Sequence, residues 1–546
     1  MCSSDLGIWN TGASFAPPST TSLAGTPALL TTSSSGAAGA VATNKYPGAG
    51  AYNAGAGGSV SITSNATLLL SVANSAIPSG VNITLNPWTP IGSALLATSQ
   101  GGVGSDPWDN SLDPGAGGAG GAITLTTTAA RASRIAIANN ASSGTVNGIT
   151  ALSAGNYGGI YYNSNYFGKP TAIWGSAGAG GAITLTHNGS ISDTTSLTSP
   201  FSNTGNLIGI ALASIGGSSL WPSDNMQINT SWSGVPPNTG SGGAINATLA
   251  SSAAISLTSG NAIGILAVSE PGDGAVAMQS CKSCGFNTSY FGSGGAVTVA
   301  NNGAISTGTS SSLFSAGILA ISSGSGNLID PFGSSTVNVG AFGFGGDVSV
   351  SNSGRISSSG SLSFGMAGLS LGAAGIATNA GSGANTLGNN GDYGGNTSST
   401  SAGTTGSVTL SNSGTITTLG DSAFGMVALA TPSGGLLRSD INTVFGSSTG
   451  SFTAGQSVGN SASPFGANGG TVTVSNSGAI STGSRSGGGN LAIGILAQSI
   501  GGGGGSTGGQ GAAAFVGDAG GSGGNGGAVS VSSSGTVTTS NDGAIG

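Results

Sequence analysis

The stretch Gly294-Gly-Ala-Val-Thr-Val-Ala-Asn-Asn-Gly-Ala-Ile-Ser306 returns as GGDVSVSNSGRIS from Gly345 and as GGTVTVSNSGAIS from Gly469. A short unit of alternating apolar residues, copied along a chain, buries its apolar side by stacking on its own copies, and that decides the architecture. Counted from the glycine before the first strand, copies begin near Gly58, Gly121, Gly181, Gly243, Gly295, Gly346, Gly406, Gly470 and Gly527. The mean period is about 59 residues, with steps of roughly 51 to 64, in or just above the range of solenoid repeats. Such uneven steps predict a constant coil carrying excursions of unequal length.

Three columns hold steady from copy to copy. The first strand alternates apolar and hydroxyl residues, as in Ile183-Thr-Leu185, Val297-Thr-Val299, Val348-Ser-Val350, Val408-Thr-Leu410, Val472-Thr-Val474 and Val529-Ser-Val531. A period of two puts one face in and one face out. A turn glycine follows at 189, 303, 354, 414, 478 and 535, and the sequence reading assigns it to a turn with positive φ. Two residues later an apolar residue recurs as Ile191, Ile305, Ile356, Ile416, Ile480 and Val537. The third strand begins with Gly-Ile or Gly-Met, at Ile149, Ile210, Ile265, Ile318, Met366, Met426 and Ile495.

Three short strands joined by tight turns describe an all-β chain, a right-handed parallel β-helix with variable Gly/Ser-rich loops. Coils stacked about 4.8 Å apart make a rod of roughly 40 Å, or twice that if each copy holds two coils. The expected organisation is an irregular segment over residues 1–57 and one elongated β-helix of about nine repeats over 58–546. The position two before the turn glycine reads Asn301, Asn352, Asn412, Asn476 and Ser533, a column of side chains able to hydrogen-bond along the axis. His187, the single histidine, occupies the same slot. It reads as a rung of that ladder in preference to a general base or metal ligand.

Composition narrows the function classes. Only 4% of residues are charged, against about 25% in an ordinary domain, and the net charge is −7. No basic stripe exists to neutralise phosphates, so nucleic acid is not an expected partner. With 107 glycines the chain has the look of low-complexity sequence, but its regular Val, Ile and Leu columns and its positive mean hydropathy oppose disorder. The Gly-rich joins at 501–511 and 517–527 are read as flexible. Cys281-Lys-Ser-Cys284 has the spacing of a metal or redox pair, yet zinc needs four ligands and no second pair follows; a local disulfide or two free thiols is the reading. Glu270 is the sole glutamate, the aspartates are scattered over separate copies, and no calcium nonapeptide repeats. Neither an enzyme nor a cofactor is expected.

Recognition is better sought in the excursions of the first half, since all six tryptophans lie between Trp9 and Trp232. Asp106-Pro-Trp108-Asp109 to Asp113 is the densest group, and Trp221-Pro-Ser-Asp224 to Trp232 is a second. Aromatic rings beside carboxylates suit a sugar face or a calcium-assisted contact; the plainer alternative is that each tryptophan pins its own loop to the rod. Outward Thr124/Thr126 and Thr184/Thr186 pairs would suit an ice-binding face but do not persist as Thr-x-Thr along the chain.

The segment from Gly469 to Gly505, GGTVTVSNSGAISTGS followed by NLAIGILAQSIGGGGG, resembles the passenger repeats of large autotransporters of Gram-negative bacteria, and weaker copies extend the likeness back to about Gly58. The resemblance implies a β-helical passenger exported through the outer membrane by a C-terminal barrel and displayed at the cell surface or released. There it would act as a non-catalytic stalk or adhesin, with glycans or proteins of a host or neighbouring cell as partners. A two-partner-secreted haemagglutinin-like adhesin and a β-helical polysaccharide hydrolase or lyase are the alternatives. The first 30 residues hold no basic region followed by an apolar core. The unusual opening Cys2-Ser-Ser-Asp-Leu6, and an end at Asn541-Asp-Gly-Ala-Ile-Gly546 where a third strand is due, lead to the expectation that the chain is a fragment.

Overall fold

Alternating Val-Thr-Val strands leave one face that must be covered, and in the computed structural model each copy covers it with the next. The structure describes residues 30–37, 53–73, 90, 92–105, 115–128, 134–140, 144–163, 171–195, 206–217, 239–272, 292–324, 344–372, 405–431, 468–483, 491–501, 524–540 and 543–546. Three nine-stranded parallel sheets run along one axis. Sheet 1 contains the first strand of every copy, from Val60–Ser64 to Val529–Ser533. Sheet 2 follows the turn, from Leu68–Ala73 to Val537–Ser540. Sheet 3 starts with Leu30–Ser35 and Gly92–Gln100 and ends with Leu491–Ser499. Coils are numbered here by their sheet 1 strand, so that Ile183–His187 belongs to coil 3, Ile245–Leu249 to coil 4 and Val297–Asn301 to coil 5.

Consecutive copies pair directly: Val297 with Val348, Val348 with Val408 and Val408 with Val472. Each copy therefore supplies one coil, and the shorter rod is the one that forms. Sheet 3 also reaches back before residue 58, since Leu30–Ser35 pairs with Leu95 to Gln100. That strand, LTTSSS, lacks the Gly-Ile or Gly-Met pair that marks the later strands of the sheet, as does Gly92–Gln100, where Ala94 precedes Leu95.

Sheets 1 and 2 keep the two-sided pattern. In Val297–Asn301 the first, third and fifth residues are buried and Thr298 is exposed. Val299, Val350, Leu410 and Val474 are each at most 1% exposed and lie in one register column. Ile191, Ile255, Ile305, Ile356, Ile416 and Ile480 line sheet 2 on the inside.

Sheet 3 differs, because strands such as Asn206–Ile215 and Phe314–Ser323 are buried at every position. Its inner residues, including Ile210, Ile265, Ile318, Met366 and Met426, join the axial core. Its outer residues form a second apolar cluster with Ile208, Leu266, Ile321 and Phe424. The uninterrupted apolar runs, as in GILAIS, record burial on two faces. Phe364 and Phe424 stack there with ring centroids 5.0 Å apart and an interplanar angle of 12°.

The glycine in Gly-Ile is set by packing. A Cβ on Gly209 would lie 2.8 Å from Ile255 Cγ2 in the coil above, and one on Gly264 would lie 2.5 Å from Ile305 Cγ2. The turn glycines also differ from expectation, since none of those at 303, 354, 414, 478 and 535 is among the described glycines with positive φ. A Cβ on Gly354 would overlap the carbonyl oxygen of Gly303 directly beneath it, and Gly414 stands in the same relation to Gly354, as does Gly478 to Gly414. Close stacking of backbone on backbone, not a left-handed turn, excludes a side chain from this column.

Candidate functional site

Two polar columns and one glycine seam hold the coils in register, and all three bear on where function can reside. The first column is the fifth residue of sheet 1, which faces inward. Asn301 Nδ2 donates to Asn352 Oδ1 at 2.7 Å, Asn352 to Asn412 at 2.7 Å, and Asn412 to Asn476 at 2.8 Å. Asn476 closes the series on Ser533 Oγ at 3.1 Å. Buried amides need partners, and each rung supplies one to the next. The lower end is capped locally, where Gly303 N donates to Asn301 Oδ1 at 3.1 Å. Below Asn301 the slot is filled by Leu249, then His187, then Thr127.

His187 is thus a rung of this column, fully buried, with Nδ1 2.9 Å from Thr127 Oγ1 and no partner for Nε2. Burial pushes its pKa down from 6.5 to about 4, with the backbone of Gly189 opposing the shift. The ring is neutral at pH 7. Among the described residues no group of three or more His, Cys, Asp or Glu side chains is placed to hold a metal ion.

The second column escaped the sequence reading. In six coils a serine five residues after the Gly-Ile glycine, or its counterpart Ser99, donates to the opening glycine of its own coil and accepts from that of the next, whereas Ser370 of coil 6 makes neither bond and Gly406 N donates to Gly345 O. Ser153 Oγ donates to Gly121 O at 2.7 Å and accepts from Gly181 N at 2.9 Å. Ser214 does the same for Gly181 and Gly243, Ser269 for Gly243 and Gly295, and Ser322 for Gly295 and Gly346. Ser99 and Ser499 repeat it towards the two ends. Where coil 7 carries Ala430 in this slot, Thr405 Oγ1 accepts from Gly470 N at 2.8 Å instead. The recurrent Ser after Gly-Ile was a readable signal, hidden by the abundance of serine.

The seam lies between the end of sheet 3 and the start of sheet 1, where the chain leaves the coil and comes back. Returning glycines stack on one another, because a Cβ on Gly118 would overlap Gly55 O, one on Gly178 would overlap Gly118 O, and one on Gly240 would overlap Gly178 O. Outgoing residues thread between them: Gly102 N donates to Gly55 O, Gly118 N to Gly102 O, Asn156 N to Gly118 O, Gly178 N to Asn156 O and Gly217 N to Gly178 O. Glycine is needed because two backbones per coil pass through one narrow stack.

The proposed contact residues Asp106, Trp108, Asp109, Asp113, Trp221, Asp224 and Trp232 lie outside the described residues, as do Cys281 and Cys284 and most of the two Gly-rich joins. Their attachment points are described. Gly115 N donates to Ser105 O at 3.0 Å across the base of residues 106–114, and Gly240 N donates to Gly217 O at 2.9 Å beside the base of residues 218–238. Both bases belong to the same seam, two coils or about 10 Å apart. The antiparallel pair Ile160–Asn163 and Thr171–Trp174 rises from the same seam, its base closed by Gly175 N to Gly159 O at 2.9 Å. Comparison with protein-family models, curated proteins and solved structures gives no match to this chain.

Proposed function

We propose that this chain is the β-helical passenger of an autotransporter of a Gram-negative bacterium, displayed at the cell surface or released, and that it works as a non-catalytic stalk presenting loops for adhesion or cell contact. The observation that carries this reading is the seam: excursions from successive coils start and finish along one edge of a rod that carries almost no charge. A rigid axis with contact segments issuing from one side suits repeated, multivalent engagement of a glycan or protein surface. Export through an outer-membrane barrel rests on the sequence resemblance of the repeats.

Purified chain 1–546 applied to arrayed glycans and to host or neighbouring bacterial cells is the direct test. Replacing residues 106–114 or 218–238 with Gly-Ser linkers is expected to lower binding while the melting profile stays unchanged. Binding indifferent to both replacements, or release of reducing ends from an acidic polysaccharide, would overturn the adhesive reading in favour of the enzyme.

A further inference from the structure

The inward fifth position of sheet 1 is polar in every coil but one: Ser64, Thr127, His187, Leu249, Asn301, Asn352, Asn412, Asn476 and Ser533. The exception stands immediately above the histidine. Thr127 Oγ1 accepts the Asn188 N–H at 2.9 Å and lies 2.9 Å from Nδ1 of His187. Nε2 of His187 has no hydrogen-bond partner, and Leu249 stands above the ring in the slot where coils 5 to 8 carry an amide.

We propose that the junction between coils 3 and 4 is an acid-opened seam, at which protonation of His187 sets a charged ring, its Nε2 N–H without an acceptor, against Leu249 and parts these two coils while the amide-laddered coils above remain closed. The side chains and backbone around the imidazole, those of Thr127, Asn188, Gly189 and Leu249, include no ionisable group. The depressed basicity of the ring has burial as its main cause and no charged neighbour, in keeping with this geometry. Two charged groups lie on sheet 2 nearby. Arg134 is exposed on coil 2 and pairs through its backbone with Ser190. Asp193 spans the same junction, with Oδ1 accepting from Thr195 N at 2.7 Å and Oδ2 from Thr258 N at 3.2 Å and from the Ser259 hydroxyl. Its carboxylate fastens coil 3 to coil 4 and so needs its own control.

Hydrogen exchange of the whole chain read by mass spectrometry, corrected for intrinsic rates, resolves the coils. Between pH 7.5 and pH 4 protection in Ile183–His187 and Ile245–Leu249 is expected to fall on the order of a hundredfold, while Val408–Asn412 and Val472–Asn476 change little. His187→Asn removes the fall and Asp193→Asn leaves it in place. Leu249→Asn offers Nε2 an acceptor and shrinks the fall, which keeps the test available if His187→Asn folds poorly. A uniform loss along the rod, persistence of the fall in His187→Asn, its abolition by Asp193→Asn, or an undiminished fall in Leu249→Asn would each overturn the proposal.

Discussion

Cutting the amide ladder at its centre isolates the interaction that holds the upper coils in register. Asn412 is 2% exposed, accepts from Asn352 Nδ2 at 2.7 Å and donates to Asn476 Oδ1 at 2.8 Å. Asn412→Ala orphans Asn476 Oδ1 in a dry interior, at roughly 1–3 kcal/mol, and leaves Asn352 Nδ2 only its 3.4 Å bond to Gly354 O, at about 1 kcal/mol more, or about 2–4 kcal/mol together. Asn412→Leu deprives the same two groups but buries a leucine, which returns about 1.5–3 kcal/mol, leaving a net loss of roughly 0.5–1 kcal/mol. Leucine fits the slot, since Leu249 occupies it in coil 4. Stacked repeats unfold in segments, so one global midpoint is a poor measure. Native-state hydrogen exchange in Val348–Asn352 and Val472–Asn476, the strands on either side, reads the local free energy. The amide ladder does not hold these coils if both variants stay within about 0.5 kcal/mol of the parent, or if alanine proves milder than leucine.

Three further substitutions probe other features. Gly354→Ala forces a methyl onto the Gly303 carbonyl and is expected to cost about 1–3 kcal/mol or more by urea denaturation; a neutral result would show that stacked backbone does not exclude a side chain from this column. Thr418→Val should stabilise by about 1 kcal/mol, because the Thr418 hydroxyl is fully buried without a partner and valine keeps the shape; a lower melting temperature would show an unseen partner. Ser269→Ala removes the bonds to Gly243 O and Gly295 N, both 2.8 Å, and should destabilise coils 4 and 5 locally by roughly 1–3 kcal/mol. Unchanged exchange at Gly295 would show that the bonds contribute nothing.

What the sequence made readable were the features with strict periodicity. The inward valines of sheet 1 and the isoleucines of sheet 2 declare themselves because a shift by one residue would turn each of them to water. The polar ladder and the place of His187 in it followed from the same alignment. The glycines were visible as columns, but their cause was not: a positive φ and an overlapping neighbour demand the same residue, and only the position of Gly303 beneath Gly354 separates the two. Sheet 3 was seen from its Gly-Ile core alone. Its strands begin earlier, at Phe314 and Leu362 for example, because its outer face is also apolar and carries no alternation to mark the edge. The contact residues were chosen by composition, and their surroundings depend on excursions whose pattern does not repeat.

The serine bridge carries a lesson for how such a chain can change. It ties Ser99 to Gly121 across 22 positions, Ser322 to Gly346 across 24, Ser153 to Gly181 across 28 and Ser214 to Gly243 across 29, with the same two bonds in each case. Because the knot closes at the foot of these excursions, residues gained or lost beyond it need not reach the stack. Insertions and deletions there alter what the rod displays and spare what it is built from, so neighbouring segments are free to diverge in length and chemistry one at a time.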